Sequence, residues 1–287
     1  MKAPSFDYVK VQSLPELLGV LVERGDDAKI IAGGQSLVPT LNMRLSAPEI
    51  LIDINGLEEL KGIAVADGYL RIGALTRHYE LGRSDEVAAH APLLAQALPH
   101  IAHEAIRSRG TFGGSIANAD PAAELPACLL ALRGRLVIAG QNGERTVDVA
   151  DFFHGLYETA IEPEEVLVAA EIPVLGGGER AAFDELVMRH GDYAIVGLAA
   201  MAKADGEILS DVRLSFFSVE GKPVLAAAAA DAVNGKPLNE EVLQAAQAAL
   251  ENDLDPLSDL YNTAATKLHL ARVLTGRVLS KLASGGA

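Results

Sequence analysis

Apolar residues recur with two periods, and the first 56 residues show both. Four leucines between residues 14 and 21 have helical spacing after a capping sequence at Ser13, and Gly25 can end that helix. Apolar runs typical of buried strands follow at 29–32 and 50–54, with a short helix predicted over 37–44 between them. This order predicts a small β-α-β unit with a glycine-containing loop after its first strand.

The middle of the chain combines hairpins with helices. Asp67-Gly68 and Asn142-Gly143 each separate two strand patterns, which predicts hairpins over 62–73 and 135–149. Apolar spacing predicts helices over 76–84, 93–107 and 125–132, and a strand over 165–172 that closes this region.

Three consecutive glycines, 176–178, form the clearest linker. Beyond them the pattern predicts strands at 182–188, 194–203 and 207–219, followed by helices at 224–233, 239–251 and 258–282. We therefore predict an α+β fold with two domains. The first covers residues 1–176, with subdomains of about 1–56 and 57–176, and the second is a smaller sheet-and-helix domain over 177–287.

Composition excludes several classes of function. A formal charge of −15 argues against a nucleic-acid partner, because a phosphate backbone would repel this surface. No apolar run approaches the roughly 18 residues of a membrane span, and the N-terminus does not resemble a signal peptide, which favours a cytoplasmic protein. Cys128 is the only cysteine, so this chain alone cannot ligate an iron–sulfur cluster.

Two glycine motifs carry the candidate chemistry. Ala32-Gly33-Gly34-Gln35-Ser36-Leu37 follows a predicted strand, and Thr111-Phe112-Gly113-Gly114-Ser115 precedes Asn118 and Asp120. Backbone N–H groups in glycine loops can bind phosphate, and side chains on these glycines would fill the space that a pyrophosphate needs. The pair predicts two cradles for one anionic ligand, although either motif alone could equally be a tight turn. Neither motif matches the Gly-x-Gly-x-x-Gly pattern of Rossmann domains.

In their order and spacing, these motifs resemble the FAD-binding medium subunit of molybdenum hydroxylases of the carbon monoxide dehydrogenase and xanthine dehydrogenase type. The resemblance extends to segments 51–55, 71–76, 117–126 and 189–194, and so covers nearly the whole chain. It implies a two-subdomain FAD-binding domain followed by a C-terminal flavoprotein domain.

The resemblance also implies specific contacts. The two glycine motifs would hold FAD through its pyrophosphate and ribityl chain, with Asn118 and Asp120 near its hydroxyl groups. Tyr193 would lie against the flavin ring, and Leu167 would lie near the cofactor. The residues themselves leave other interpretations open: Asp120 as a helix cap, Tyr193 as a domain-interface residue, and Leu167 as core. Some relatives carry a lysine in the strand that corresponds to 183–186, where this chain has two acids.

The same resemblance implies partners. A large subunit would hold molybdopterin and oxidise the substrate, and a small subunit would carry two [2Fe-2S] clusters. The present chain would pass electrons through FAD to an external acceptor, commonly within a dimer of heterotrimers. Two alternatives remain open: a stand-alone FAD-dependent oxidoreductase of the same fold, and a flavin-free assembly protein. No catalytic nucleophile or base is evident, and His100 and His103 lack a third ligand for a metal site.

Overall fold

The computed structural model describes residues 2–285. Its first unit is a parallel sheet in which β3 lies between β1 and β2. The elements are β1 (Asp7–Lys10), α1 (Leu14–Arg24), β2 (Ala28–Ile31), α2 (Leu37–Asn42) and β3 (Ile50–Asp53). The predicted helix cap is confirmed: the Ser13 hydroxyl accepts a hydrogen bond from the Glu16 N–H, and Gly25 ends α1 with a φ of 51°. Strand β1 was not predicted, because most of its side chains are exposed and it lacks an apolar run.

The second unit is an antiparallel sheet in the order β4-β5-β10-β6-β7, with helices between its two hairpins. Both predicted hairpins are confirmed. The elements are β4 (Ile63–Ala66), β5 (Tyr69–Gly73), α3 (His78–Leu81), α4 (Asp85–His90), α5 (Pro92–Ala97), α6 (Glu104–Arg107), α7 (Phe112–Asn118), α8 (Glu124–Ala131), β6 (Arg135–Gly140), β7 (Gly143–Asp148), α9 (Val149–Phe152), β8 (Phe153–Gly155), β9 (Glu158–Thr159) and β10 (Val166–Pro173).

Two predictions for this second unit are wrong. The helix predicted over 93–107 is interrupted, because α5 gives way to a 3-10 turn containing Pro99 and the chain then passes through Ala102 at a φ of 44°. The second glycine motif was predicted as a loop, yet Gly113 and Gly114 lie inside the helix α7.

The third unit is a sheet in the order β11-β12-β13-β14, with β15 paired to β13. Helix α10 begins after β14, later than predicted, and α12 begins at Ala264 rather than near 258. The elements are β11 (Glu179–Val187), β12 (Ala194–Asp205), β13 (Ile208–Phe217), β14 (Val224–Leu225), α10 (Ala227–Val233), β15 (Lys236–Pro237), α11 (Glu240–Asp253) and α12 (Ala264–Ser284).

The third unit's sheet is buried on both faces. One face packs against α10, α11 and α12, and the opposite face contributes Phe183, Met201 and Phe217 to a core shared with the second unit. Burial on both faces explains why β12 and β13 are nearly continuous apolar runs. Strand β10 likewise serves two cores, with Leu167 packed toward the helices and Val168 toward the first unit. The three units are therefore joined by common cores.

Candidate functional site

A cleft of about 800 Å³ lies where the three units meet. Its walls come from the loop after β2, from α7, from β10 and from the segment before β12. Every residue that the sequence predicted for the site lines this cleft: Ala32, Gly33, Gly34, Gln35, Ser36, Leu37, Thr111, Gly113, Gly114, Ser115, Asn118, Asp120, Leu167 and Tyr193. Segments separated by more than 150 residues therefore meet at one site.

The first glycine motif presents free backbone donors. Gly34 adopts a φ of 71°, a left-handed conformation that favours glycine, and turns the chain into α2. Within residues 2–285, the N–H groups of residues 33–37 donate no hydrogen bond to the protein. Several unpaired N–H groups in one turn form a site that suits an anion such as a pyrophosphate. The geometry of this loop therefore fits the phosphate-binding prediction.

The second glycine motif differs from the first. The Phe112 N–H donates to Thr76 O at 2.8 Å, the Gly113 N–H donates to Ala74 O at 2.8 Å, and the Gly114 N–H donates to the Thr111 hydroxyl at 3.2 Å. The expectation that this motif offers a second set of free N–H groups is therefore wrong. Its available polar groups are the side chains of Ser115 and Asn118, which make no hydrogen bond within the described part of the chain.

Gly33 and Gly113 are explained by the close approach of neighbouring chain segments. A Cβ on Gly33 would lie 2.4 Å from the Arg109 carbonyl oxygen, and one on Gly113 would lie 2.4 Å from the Ala74 Cβ. Protein atoms therefore already lie where a side chain at Gly33 or Gly113 would be. These two residues allow the first loop and α7 to lie against their neighbours and so shape the cleft.

A hydrogen-bonded clamp that the sequence did not reveal holds the first loop in place. The Arg77 guanidinium donates to the Arg109 carbonyl and, at 2.7 Å, to the Asn55 amide oxygen. Asn55 in turn donates to the Ala32 carbonyl at 2.8 Å. The clamp connects the ends of β2 and β3 to the segment before α7. The only sequence signal was that Asn55 ends one of the resembling segments.

His78 supports α7 from behind. Its Nε2 lies 3.0 Å from the Thr111 carbonyl oxygen, which can only accept, so the neutral ring carries its proton on Nε2. Burial lowers the pKa of His78 to about 4, and the nearby Arg107 and Arg77 act in the same direction. A neutral imidazole therefore fixes the residue that caps α7.

Asp120 and Tyr193 both line the cleft, but Asp120 is held by hydrogen bonds whereas the Tyr193 side chain is exposed. The Asp120 carboxylate accepts a hydrogen bond from the Ala122 N–H at 3.0 Å and lies 3.5 Å from the Tyr157 hydroxyl, so it caps the following turn while lining the cleft. Tyr193 is 68% exposed and its ring remains free to cover a ligand. Leu167 is 4% exposed and is both a core residue and part of the wall.

The two acids at 184 and 185 have partners outside the lining of the cleft. The Lys281 ammonium lies 3.0 Å from Asp184, and His100 Nδ1 lies 3.2 Å from Glu185. A lysine thus reaches this strand from α12, and it is not among the cleft-lining residues. Among residues 2–285, no cluster of three His, Cys, Asp or Glu side chains could hold a metal ion, and no helix could cross a membrane.

Comparison with known families and proteins assigns the chain to a protein family. Residues 4–175 match the family described as "FAD binding domain in molybdopterin dehydrogenase", and residues 181–282 match "CO dehydrogenase flavoprotein C-terminal domain". The chain is 40% identical to the alpha subunit of the 6-hydroxypseudooxynicotine dehydrogenase complex of Paenarthrobacter nicotinovorans, over 98% of this chain and 95% of that protein. It is 36% identical to the carbon monoxide dehydrogenase medium chain of Hydrogenophaga pseudoflava, over 98% of each.

Solved structures agree. A chain of carbon monoxide dehydrogenase from Hydrogenophaga pseudoflava lacking the Mo-pyranopterin moiety superposes with a TM-score of 0.96, at 37% identity and over 100% of both chains. A chain of quinoline 2-oxidoreductase from Pseudomonas putida 86 superposes with a TM-score of 0.93, at 39% identity and over 99% of both. An FAD-binding domain followed by a flavoprotein C-terminal domain defines a flavoprotein subunit of an oxidoreductase. More specifically, the chain belongs to the family of FAD-binding medium subunits of molybdenum hydroxylases.

Proposed function

We propose that this chain is the electron-transfer subunit of a heterotrimeric molybdenum hydroxylase. It accepts electrons from a [2Fe-2S] cluster of a small partner subunit and passes them through FAD to an external acceptor. The observation that carries this proposal is the convergence of all the predicted cofactor residues on one cleft. Relatives described as a medium chain or as a subunit of a dehydrogenase complex support it.

Different residues of the cleft bind different parts of FAD. The free N–H groups of the loop at residues 33–37 bind the pyrophosphate, and Ser115 and Asn118 bind the ribityl hydroxyls. The exposed Tyr193 ring covers the isoalloxazine, which supplies the one- and two-electron chemistry when bound. The Arg77 clamp and the close packing at Gly33 hold the first loop in position.

The proposed partners would supply the cofactors that this chain is not expected to hold. Cys128 is its only cysteine and is buried, so this chain cannot supply four thiolates for a [2Fe-2S] cluster. We propose that the clusters, and the molybdopterin that oxidises the substrate, belong to partner subunits. We propose a cytoplasmic complex that is a dimer of heterotrimers. In this proposal residues 1–176 form the FAD-binding domain and 177–287 form the C-terminal flavoprotein domain. The flavin-free alternative is disfavoured by the FAD-binding family match over residues 4–175.

Native purification tests the assembly. An affinity tag on this chain should recover two further polypeptides, together with iron, molybdenum and FAD, and the complex should hydroxylate its substrate. The chain expressed alone should bind FAD and hydroxylate nothing. A single polypeptide with full substrate turnover and neither metal would refute the proposal in favour of a stand-alone flavin oxidoreductase.

A further inference from the structure

Two buried carboxyl groups and one imidazole lie together beside the cleft. Glu124 begins α8, lines the cleft and is only 9% exposed. The Glu185 side chain on β11 is 2% exposed, and its Oε1 lies 3.2 Å from His100 Nδ1. Its second oxygen is buried and has no hydrogen-bond partner among the described residues. The cluster therefore joins the FAD-binding unit to the C-terminal sheet.

The charges around Glu124 are predominantly negative. Glu124 faces Glu185 and, from the preceding turn, Asp120, and both of these acidic groups raise its pKa. The His100 imidazole lowers the pKa of Glu124. Asp184 raises the pKa of the same imidazole and is itself paired with Lys281. The buried Cys128 thiol, one helical turn along α8, and the Tyr193 phenol also face this carboxyl group.

One imidazole cannot neutralise two buried carboxylates. Burial without a counter-ion favours the neutral form, and a neighbouring carboxylate raises the pKa further. Glu185 is hydrogen-bonded to His100, and this contact raises the pKa of the His100 imidazole. Burial and then the Glu185 charge raise the pKa of Glu124 to about 8, against the opposing effects of its own backbone N–H and of His100.

We propose that Glu124 is a protonated, neutral wall of the flavin cleft at neutral pH, and that loss of its proton makes the bound flavin harder to reduce. The proposal rests on the proposed function. Electrons that enter the flavin from a one-electron donor add negative charge to the cleft, which a neighbouring carboxylate opposes and a neutral carboxyl does not. By reciprocity, a reduced flavin raises the pKa of Glu124. Above the midpoint, reduction is therefore accompanied by uptake of a solvent proton that forms the Glu124 O–H bond.

Infrared spectroscopy tests the protonation directly. In pH-difference spectra of the purified, oxidised protein, the carbonyl band of a protonated carboxylic acid should disappear with a midpoint of about 8. The band should be absent from Glu124→Gln, which keeps the volume of the side chain and cannot titrate. Glu185→Gln should move the midpoint to lower pH, because it removes a carboxylate that raises the pKa of Glu124. If Glu185 only stabilised the fold, the Glu185→Gln substitution would leave the midpoint of Glu124 unchanged.

The flavin reduction potential supplies the second measurement, with dithionite as reductant. Wild type and Glu124→Gln should have similar potentials below the midpoint, and wild type should become the more negative of the two above it. Absence of the carboxyl band at neutral pH, or parallel potentials at all pH values, would overturn the proposal while leaving FAD binding intact. A protein that shows the titrating band but binds no flavin would instead refute the proposed function.

Discussion

Gly33→Ala tests whether the close approach of the first and second units shapes the cleft. The new Cβ would lie 2.4 Å from the Arg109 carbonyl oxygen and 2.9 Å from the Gly110 Cα. Relief of the shorter contact requires a movement of roughly 1 Å, since ordinary contacts of this kind are near 3.5 Å. The Arg77 clamp resists that movement, because it fixes both Arg109 and, through Asn55, the first loop. Overpacking of this kind costs about 1–3 kcal/mol.

The cost should appear in the flavin-free chain as a lower free energy of unfolding in urea, and FAD affinity should also fall because the loop is displaced. Gly19→Ala is the matched control: a Cβ there meets nothing within 4 Å and lies in the middle of α1. That control should leave flavin binding unchanged and stabilise α1 by up to about 1 kcal/mol. Loss of flavin from Gly33→Ala with an unchanged free energy of unfolding would refute the packing explanation and assign the space to the ligand.

Three further predictions concern the ring, the C-terminal sheet and pH. Tyr193→Ala should retain FAD but change its absorbance spectrum and rate of reoxidation, whereas Tyr193→Phe should resemble wild type; a Tyr193→Ala protein indistinguishable in both respects would contradict ring contact. Gly197→Ala should sharply lower the thermal midpoint, because its Cβ would lie 1.9 Å from the Phe217 ring, and a Gly177→Ala control that meets nothing within 4 Å should not. As pH falls from about 6.5 to about 4, the unfolded state gains a proton on His78 that the folded state does not take. The free energy of unfolding should therefore decrease by about 3 kcal/mol more in wild type than in His78→Gln; equal acid sensitivity would contradict a buried neutral ring.

Local signals predicted those elements that local interactions determine. The Asp67-Gly68 and Asn142-Gly143 hairpins were found because the turn residues specify the conformation themselves. Helix α7 was missed because two glycines disfavour a helix, and its first turn is held by bonds to distant carbonyls, such as the one from the Phe112 N–H to Thr76. Tertiary contacts thus override local propensity at the centre of the site.

The sequence predicted residues that line one cleft, but it did not predict the contacts that hold them there. Glycine motifs and the resemblance located the cleft residues, since glycine is conspicuous in sequence. The reason for Gly33 was not predictable, because its close neighbour Arg109 is more than 70 residues away. The same applies to the Arg77–Asn55 clamp and to the pairing of Glu185 with His100, each of which joins segments that only the folded chain brings together.

We propose that this cleft binds FAD non-covalently for electron transfer. The most direct measurement is acid precipitation of the purified chain, followed by chromatography of the flavin that is released. We predict FAD in the supernatant at about one molecule per chain, since the polar groups of the cleft suit a pyrophosphate, and neither glycine motif contains a His or Cys for covalent attachment. FMN in the supernatant, colour retained in the pellet, or a chain without flavin would contradict it.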